Sequence, residues 1–196
     1  GGDIQAQFVL ASSSSNSFNM SGGTIRNSYH TDTEYSHIET NGGAVFMEQG
    51  TFTMTGGTIQ NCTGVNGGAV YINGSSETSF SMSGTSLIKN CTSKNSGGAV
   101  YLEGGTVTLT GGSIVNNMAE QGNGGGICVV GGNFFMPANS TASIEGNAAY
   151  SKSEDGCGSG GGIYVTSSTG NVQVDIKHGS IINNSSDRTG GGLAVN

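Results

Sequence analysis

Apolar residues in this chain alternate with small polar ones, and the alternation returns in about six copies. The second copy shows the unit: Phe52-Thr53-Met54, a Gly56-Gly57 corner, Ile59-Gln60-Asn61, then Gly67-Gly68-Ala69-Val70-Tyr71-Ile72. Aligned copies form columns. One runs Phe18, Phe52, Phe80, Val107, Phe134, Val174, and another, two residues on, Met20, Met54, Met82, Leu109, Met136, Ile176. A third runs Ile25, Ile59, Ile88, Ile114, Ile144, Ile181, and a fourth Val45, Val70, Val100, Ile127, Ile163, Leu193. Positions two apart on one face mean strands, and no helical period interrupts them. Between the Phe and Met columns stand Asn19, Thr53, Ser81, Thr108 and Asp175, with Phe135 breaking the polar pattern.

A repeat of this length cannot bury its own apolar face and must stack on its neighbours. Three short strands per repeat predict an all-β, right-handed parallel β-helix of about six rungs. The handedness follows from the crossover rule for parallel strands. Six turns at roughly 4.8 Å make a rod about 30 Å long. Residues 1–196 read as a single solenoid domain, and the open-looking ends suggest a piece of a longer array. Gly1-Gly2-Asp3-Ile4 reads as the start of one more Gly-Gly strand. Asn27, Asn61, Asn90, Asn116 and Asn183 close the Ile strands, where their amides are expected to bond along the stack and to the turning backbone.

Gly-Gly-Ala-Val-Tyr, followed later by an apolar–x–x–Asn, resembles the GGAI and FxxN repeats of chlamydial polymorphic outer-membrane proteins, and more broadly of bacterial adhesin-like β-helix proteins. The likeness covers nearly the whole chain. Its Asn-terminated strand carries Ile where the chlamydial repeat has Phe. The resemblance implies secretion or bacterial surface display and binding to glycans or to host or matrix proteins. It implies no catalytic residue and no cofactor.

Composition narrows the partners. A formal charge of −7 with only six Lys plus Arg lacks the basic footprint of a nucleic-acid binder. No apolar run reaches membrane-spanning length, so this segment is not expected to insert directly into a bilayer. The 37 glycines follow no Gly-X-Y period, which excludes collagen. Cys62 and Cys91 follow Asn61 and Asn90 and should be neighbours one rung apart, either bonded as a disulfide or stacked as thiols. With no Cys-x-x-Cys spacing, a zinc site is not expected.

Two features carry candidate binding chemistry. Phe46, Tyr71, Tyr101 and Tyr164 alternate with the Val and Ile column and should face away from the core, with Cys128 and Ala194 interrupting the row. Aromatic rings with polar tips on a flat sheet suit sugar rings. The second feature is a pair of long intervals, 14 residues in the first copy and about 13 in the fifth, where the others have five to seven. The first holds His30, Asp32, Glu34 and His37, taken as ligand-binding candidates in a spacing that matches no metal motif; the second holds Lys152, Glu154 and Asp155. Loops on a rigid scaffold are where binding concentrates.

Enzymatic readings find less support. Glu48 and Glu103 occupy equivalent places two rungs apart, about 10 Å, within the range of a glycosidase pair. No basic residue stands beside an acidic cluster as a lyase would want, and no Ser–His triad motif occurs. The string Gly156-Cys157-Gly158-Ser159-Gly160-Gly161 fits a dinucleotide fingerprint, but a strand is expected after it where a helix is needed. A non-enzymatic adhesin-like role is therefore the leading expectation. A polysaccharide lyase or hydrolase, or a structural stalk, are the alternatives.

Overall fold

The computed structural model describes residues 3–4, 8–10, 16–28, 40–151, 157–167 and 172–196. Among these every regular element is a strand and every strand pairing is parallel. The strands form three sheets that run the length of the molecule, and the chain coils through all three in each of about five turns. The fold is a parallel β-helix, as the columns predict.

The largest sheet has two legs. In the first two turns each leg pair is one strand, Ser17–Arg26 and Thr51–Gln60, bent at Gly22-Gly23 and Gly56-Gly57. Later turns split it: Ser79–Met82 with Leu87–Lys89, Thr106–Leu109 with Ser113–Val115, and so on. The first leg carries Phe18, Phe52, Phe80, Val107, Phe134 and Val174 in one register. The second carries Ile25, Ile59, Ile88, Ile114, Ile144 and Ile181. Identical side chains stack, and the Phe18–Phe52 and Phe52–Phe80 ring centroids lie 4.8 Å apart, the spacing of parallel strands. Phe52, Phe80, Phe134 and the Ile column from Ile59 to Ile144 are fully enclosed. Each such side chain contributes roughly 1.5 to 3 kcal/mol of burial.

A second sheet follows the Gly-Gly pairs: Val45–Met47, Val70–Asn73, Val100–Gly104, Ile127–Val129, Ile163–Val165 and Leu193–Val195. Its Val and Ile column points into the same core. The third sheet is made of two-residue strands, Thr63–Gly64, Thr92–Ser93, Met118–Ala119, Ala148–Ala149 and Ser185–Ser186. These strands are too short to show any alternation in the sequence. Each turn crosses three sheets, but two of the three expected strands are legs of one sheet, and an unexpected two-residue strand makes the third sheet.

The N-terminal expectation is corrected. Asp3–Ile4 does not start a Gly-Gly strand; it pairs with Thr24 and Ile25 on the Ile leg. Phe8–Leu10 takes the Gly-Gly strand's place, in register with Val45–Met47. Register follows the column a strand can extend, and Phe8-Val9-Leu10 repeats the apolar pattern of Val45-Phe46-Met47 where Asp3-Ile4 does not.

Asn27, Asn61, Asn90, Asn116 and Asn183 share a left-handed conformation, with φ between 54° and 57°. In the fifth turn Gly146 takes the same place at φ 63°. Asparagine and glycine are the residues that reach this region most readily. The column therefore exists for its backbone. One amide bond along the stack, Asn61 Nδ2 to Asn27 Oδ1 at 3.4 Å, is long, and these side chains are exposed.

Candidate functional site

The outer face of the Gly-Gly sheet brings the predicted aromatic row together. Phe46, Tyr71, Tyr101, Cys128, Tyr164 and Ala194 are in one register. None belongs to the main core, so the row faces outward as period two requires. The rings stand parallel along the rod: Phe46 and Tyr71 centroids are 5.4 Å apart and Tyr71 and Tyr101 5.5 Å, with interplanar angles of 14° and 11°. Ring faces therefore lie against neighbouring rings, and the row offers edges and hydroxyls to the surface. Flat platforms for sugar rings are not what this register produces.

Burial sharpens the point. Tyr71 keeps only 6% of its surface and Tyr164 only 9%, while Phe46 and Tyr101 are half-buried. Cys128, Val130 and Tyr164 pack as a small satellite cluster with Tyr101 and Ala194 at its margin. Enclosure there pushes the Cys128 thiol up to about 12, so it stays protonated and unreactive.

Polar groups gather at the hydroxyl end of the row. The Tyr71 hydroxyl donates to Glu103 Oε2, and the Asn73 side chain lies beside that hydroxyl. Burial first, and then the adjacent carboxylate, hold the Tyr71 phenol well above its ordinary value, so the hydroxyl remains a donor at any physiological pH. Burial raises Tyr101 likewise. Asn196 Nδ2 donates to the Tyr164 hydroxyl at 3.3 Å. Glu48 follows the strand Val45–Met47, Glu103 lies in the equivalent strand Val100–Gly104, and Thr78 Oγ1 donates to the Glu48 carbonyl at 3.2 Å. Glu103 is thus the acceptor of a tyrosine hydroxyl.

His30, Asp32, Glu34 and His37, and with them Lys152, Glu154 and Asp155, lie outside the described residues. Among the described residues no three His, Cys, Asp or Glu side chains converge as a metal site would require. The Gly156–Gly161 string leads into the strand Ile163–Val165, so no helix N-terminus receives a phosphate there.

The sequence reading stacked Cys62 on Cys91 but missed that they belong to a longer buried polar column just past the left-handed turn: Ser28, Cys62, Cys91, Asn117, Asn147 and Asn184. All but Asn184 are buried. Asn147 Oδ1 accepts from the Asn117 backbone N–H and from Asn117 Nδ2, both at 2.9 Å. Asn184 Oδ1 accepts from the Asn147 N–H and Nδ2 in the same way, and Asn117 Oδ1 accepts from the Cys91 N–H. Each amide nitrogen also donates to a core-strand carbonyl, of Ile88, Ile114 or Ile144. The doublets Asn116-Asn117 and Asn183-Asn184 were the available signal.

Sheet order, ladders and the uninterrupted coil define a parallel β-helix protein of the repeat-solenoid class. Comparison with protein-family models, curated proteins and solved structures finds no match to this chain.

Proposed function

We propose that this chain is a non-enzymatic, adhesin-like β-helix, secreted or displayed on a bacterial surface, that binds glycans or host or matrix proteins along its Gly-Gly sheet. The observation that carries the reading is the Phe46–Tyr71–Tyr101 row with Glu103 and Asn73 at its hydroxyl end. Aromatic edges beside a carboxylate and an amide supply the apolar contact and the directional hydrogen bonds that sugar hydroxyls and tyrosine-rich protein interfaces use. The likeness of the Gly-Gly-Ala-Val-Tyr units to surface-displayed bacterial repeats supports the location and the partner class.

A second reading, a structural stalk, is favoured by the burial of Tyr71 and Tyr164 and by the internal partners of their hydroxyls. In that case the row is a satellite core that stiffens the rod.

The test is retention on a broad glycan and matrix-protein panel, with glycan mass read in parallel. Tyr101→Ala is the informative variant, because Tyr101 is half-buried and its loss leaves the main core intact. Retention by the wild type, reduced at least about tenfold in Tyr101→Ala with unchanged circular dichroism, supports the proposal; that ratio corresponds to about 1.4 kcal/mol. Retention that Tyr101→Ala leaves unchanged removes the row from the site. Absence of retention on every surface selects the stalk, and shortened or unsaturated glycans would overturn both readings.

A further inference from the structure

Cys62 and Cys91 take no part in the outer face. They sit one turn apart in the buried polar column, on the inner side of the chain. Thr63 and Thr92, the residues that follow them, are in register, and the Thr92 N–H donates to the Cys62 carbonyl at 2.9 Å. In-register parallel neighbours stand about 4.8 Å apart at Cα, inside the window of about 4.4 to 6.8 Å that a disulfide spans. Both thiols point to the same side, each near the carbonyl two residues back: Cys62 Sγ to Gln60 O is 3.3 Å and Cys91 Sγ to Lys89 O is 3.4 Å. The sulfurs are free in this structure. The same column ties later turns together by side chain, through Asn117, Asn147 and Asn184. That tie reaches Cys91 through its N–H, and beyond it only sulfur occupies the column until Ser28.

From this register, burial and place in the column we infer that Cys62 and Cys91 are a dithiol built to close into an inter-turn disulfide when the chain folds in an oxidising medium. The bond continues, between the second and third turns, the tie that the asparagine amides make further on. Within the folded turn the neighbouring Cys91 thiol lowers Cys62 and burial pushes Cys91 up; in the open chain, where the exchange takes place, either thiolate attacks first and the steps are equivalent from either side. With glutathione disulfide as oxidant, the Cys62 thiolate attacks one glutathione sulfur and expels the other glutathione as thiolate. Cys91, having lost its proton, then attacks the Cys62 sulfur of the mixed disulfide and expels the second glutathione. The protein loses two electrons, glutathione disulfide gains them, and the two thiol protons end on two glutathiones. Both sulfurs are enclosed in the folded turn, so the exchange belongs to the folding step. Protein folded in reductant oxidises only as fast as the turn opens.

The test is refolding of the 196-residue chain in a glutathione disulfide–glutathione buffer and, separately, in reductant. Each product is alkylated in denaturant and its peptides are mapped by mass without reduction. The expected result is a peptide linking Cys62 to Cys91, with Cys128 and Cys157 alkylated. The bond closes a loop of about 30 residues, and the thermal midpoint of the oxidised protein should exceed that of the reduced by on the order of 5 to 10 °C. Cys91→Ser should erase that difference. Alkylation of both Cys62 and Cys91 after oxidising refolding, pairing of either with Cys128 or Cys157, or an oxidised midpoint at or below the reduced one would each overturn the inference.

Discussion

Single residues in this fold are chosen for where they let the backbone go. Asn61 sits at φ 55° at the end of its strand, and Gly146 does the same work at φ 63°. For most side chains this conformation costs roughly 1 to 2 kcal/mol. Asn61→Ala should therefore destabilise the chain by about 1 to 2 kcal/mol in denaturant unfolding. Asn61→Gly should stay within about 1 kcal/mol of wild type, its cost being backbone entropy alone. Equal losses for the two would show that the amide, not the dihedral, matters. Gly98 answers to a different constraint, since a Cβ there would stand 2.1 Å from the Gly125 carbonyl oxygen and 2.6 Å from the Met118 backbone. The Gly-Gly pair that leads into the Val–aromatic strand, read from the sequence only as part of that strand, thus marks where two segments of neighbouring turns approach too closely for any side chain.

At the scale of elements, the ladders divide into apolar columns and one polar column. The polar one is expensive to interrupt. Removing the Asn147 side chain leaves the Asn117 N–H without its 2.9 Å acceptor and the Ile114 carbonyl without its 3.0 Å side-chain donor, both enclosed. An unsatisfied buried group costs about 1 to 3 kcal/mol, so Asn147→Ala should lose about 2 to 4 kcal/mol by chemical unfolding. Asn116→Gly, next door but exposed and placed only for its dihedral, should lose less than about 1 kcal/mol. Comparable losses at the two sites would mean that the amide ladder adds nothing to stability. The apolar columns were legible because a strand of four or five residues shows its period. The two-residue strands of the short sheet and the amide ladder were not: no period fits into two residues, and which asparagine of a doublet points inward depends on a turn geometry the string does not carry.

Across the whole molecule, stability is local to each turn and its two neighbours, as in other solenoids. Ile88 is fully enclosed between turns, whereas Ile181 in the same column belongs to the last turn described and is only half-buried. That end exposes Leu193 and Val195, the latter at 73%, around a cavity of about 490 Å³ lined also by Val174 and Ile176. In this 196-residue chain, Ile88→Ala should cost about 2 to 5 kcal/mol. Ile181→Ala should cost less than half of that, with the last turn's amides exchanging first in a hydrogen-exchange series. Identical losses would point to a rod that melts as one unit instead of fraying from that face.

The sequence by itself determined the repeat, the four apolar columns, the parallel pairing and hence the β-helix. Each of these follows from periodicity and from the need of every unit to bury its apolar face on the next. It also determined that Phe46, Tyr71, Tyr101 and Tyr164 share an outward row, because side chains in a strand alternate. The tertiary structure alone decided that the rings face one another, that Tyr71 and Tyr164 are nearly enclosed, and that the Tyr71 hydroxyl goes to Glu103. Those facts depend on the 5.5 Å spacing of stacked rings and on groups 32 residues apart, two quantities that exist only once the turns lie on each other. The place of Cys62 beside Cys91 was legible from their positions after Asn61 and Asn90, whereas the stacking alone lined up the buried asparagines, since a column becomes a ladder only when its rungs are in register.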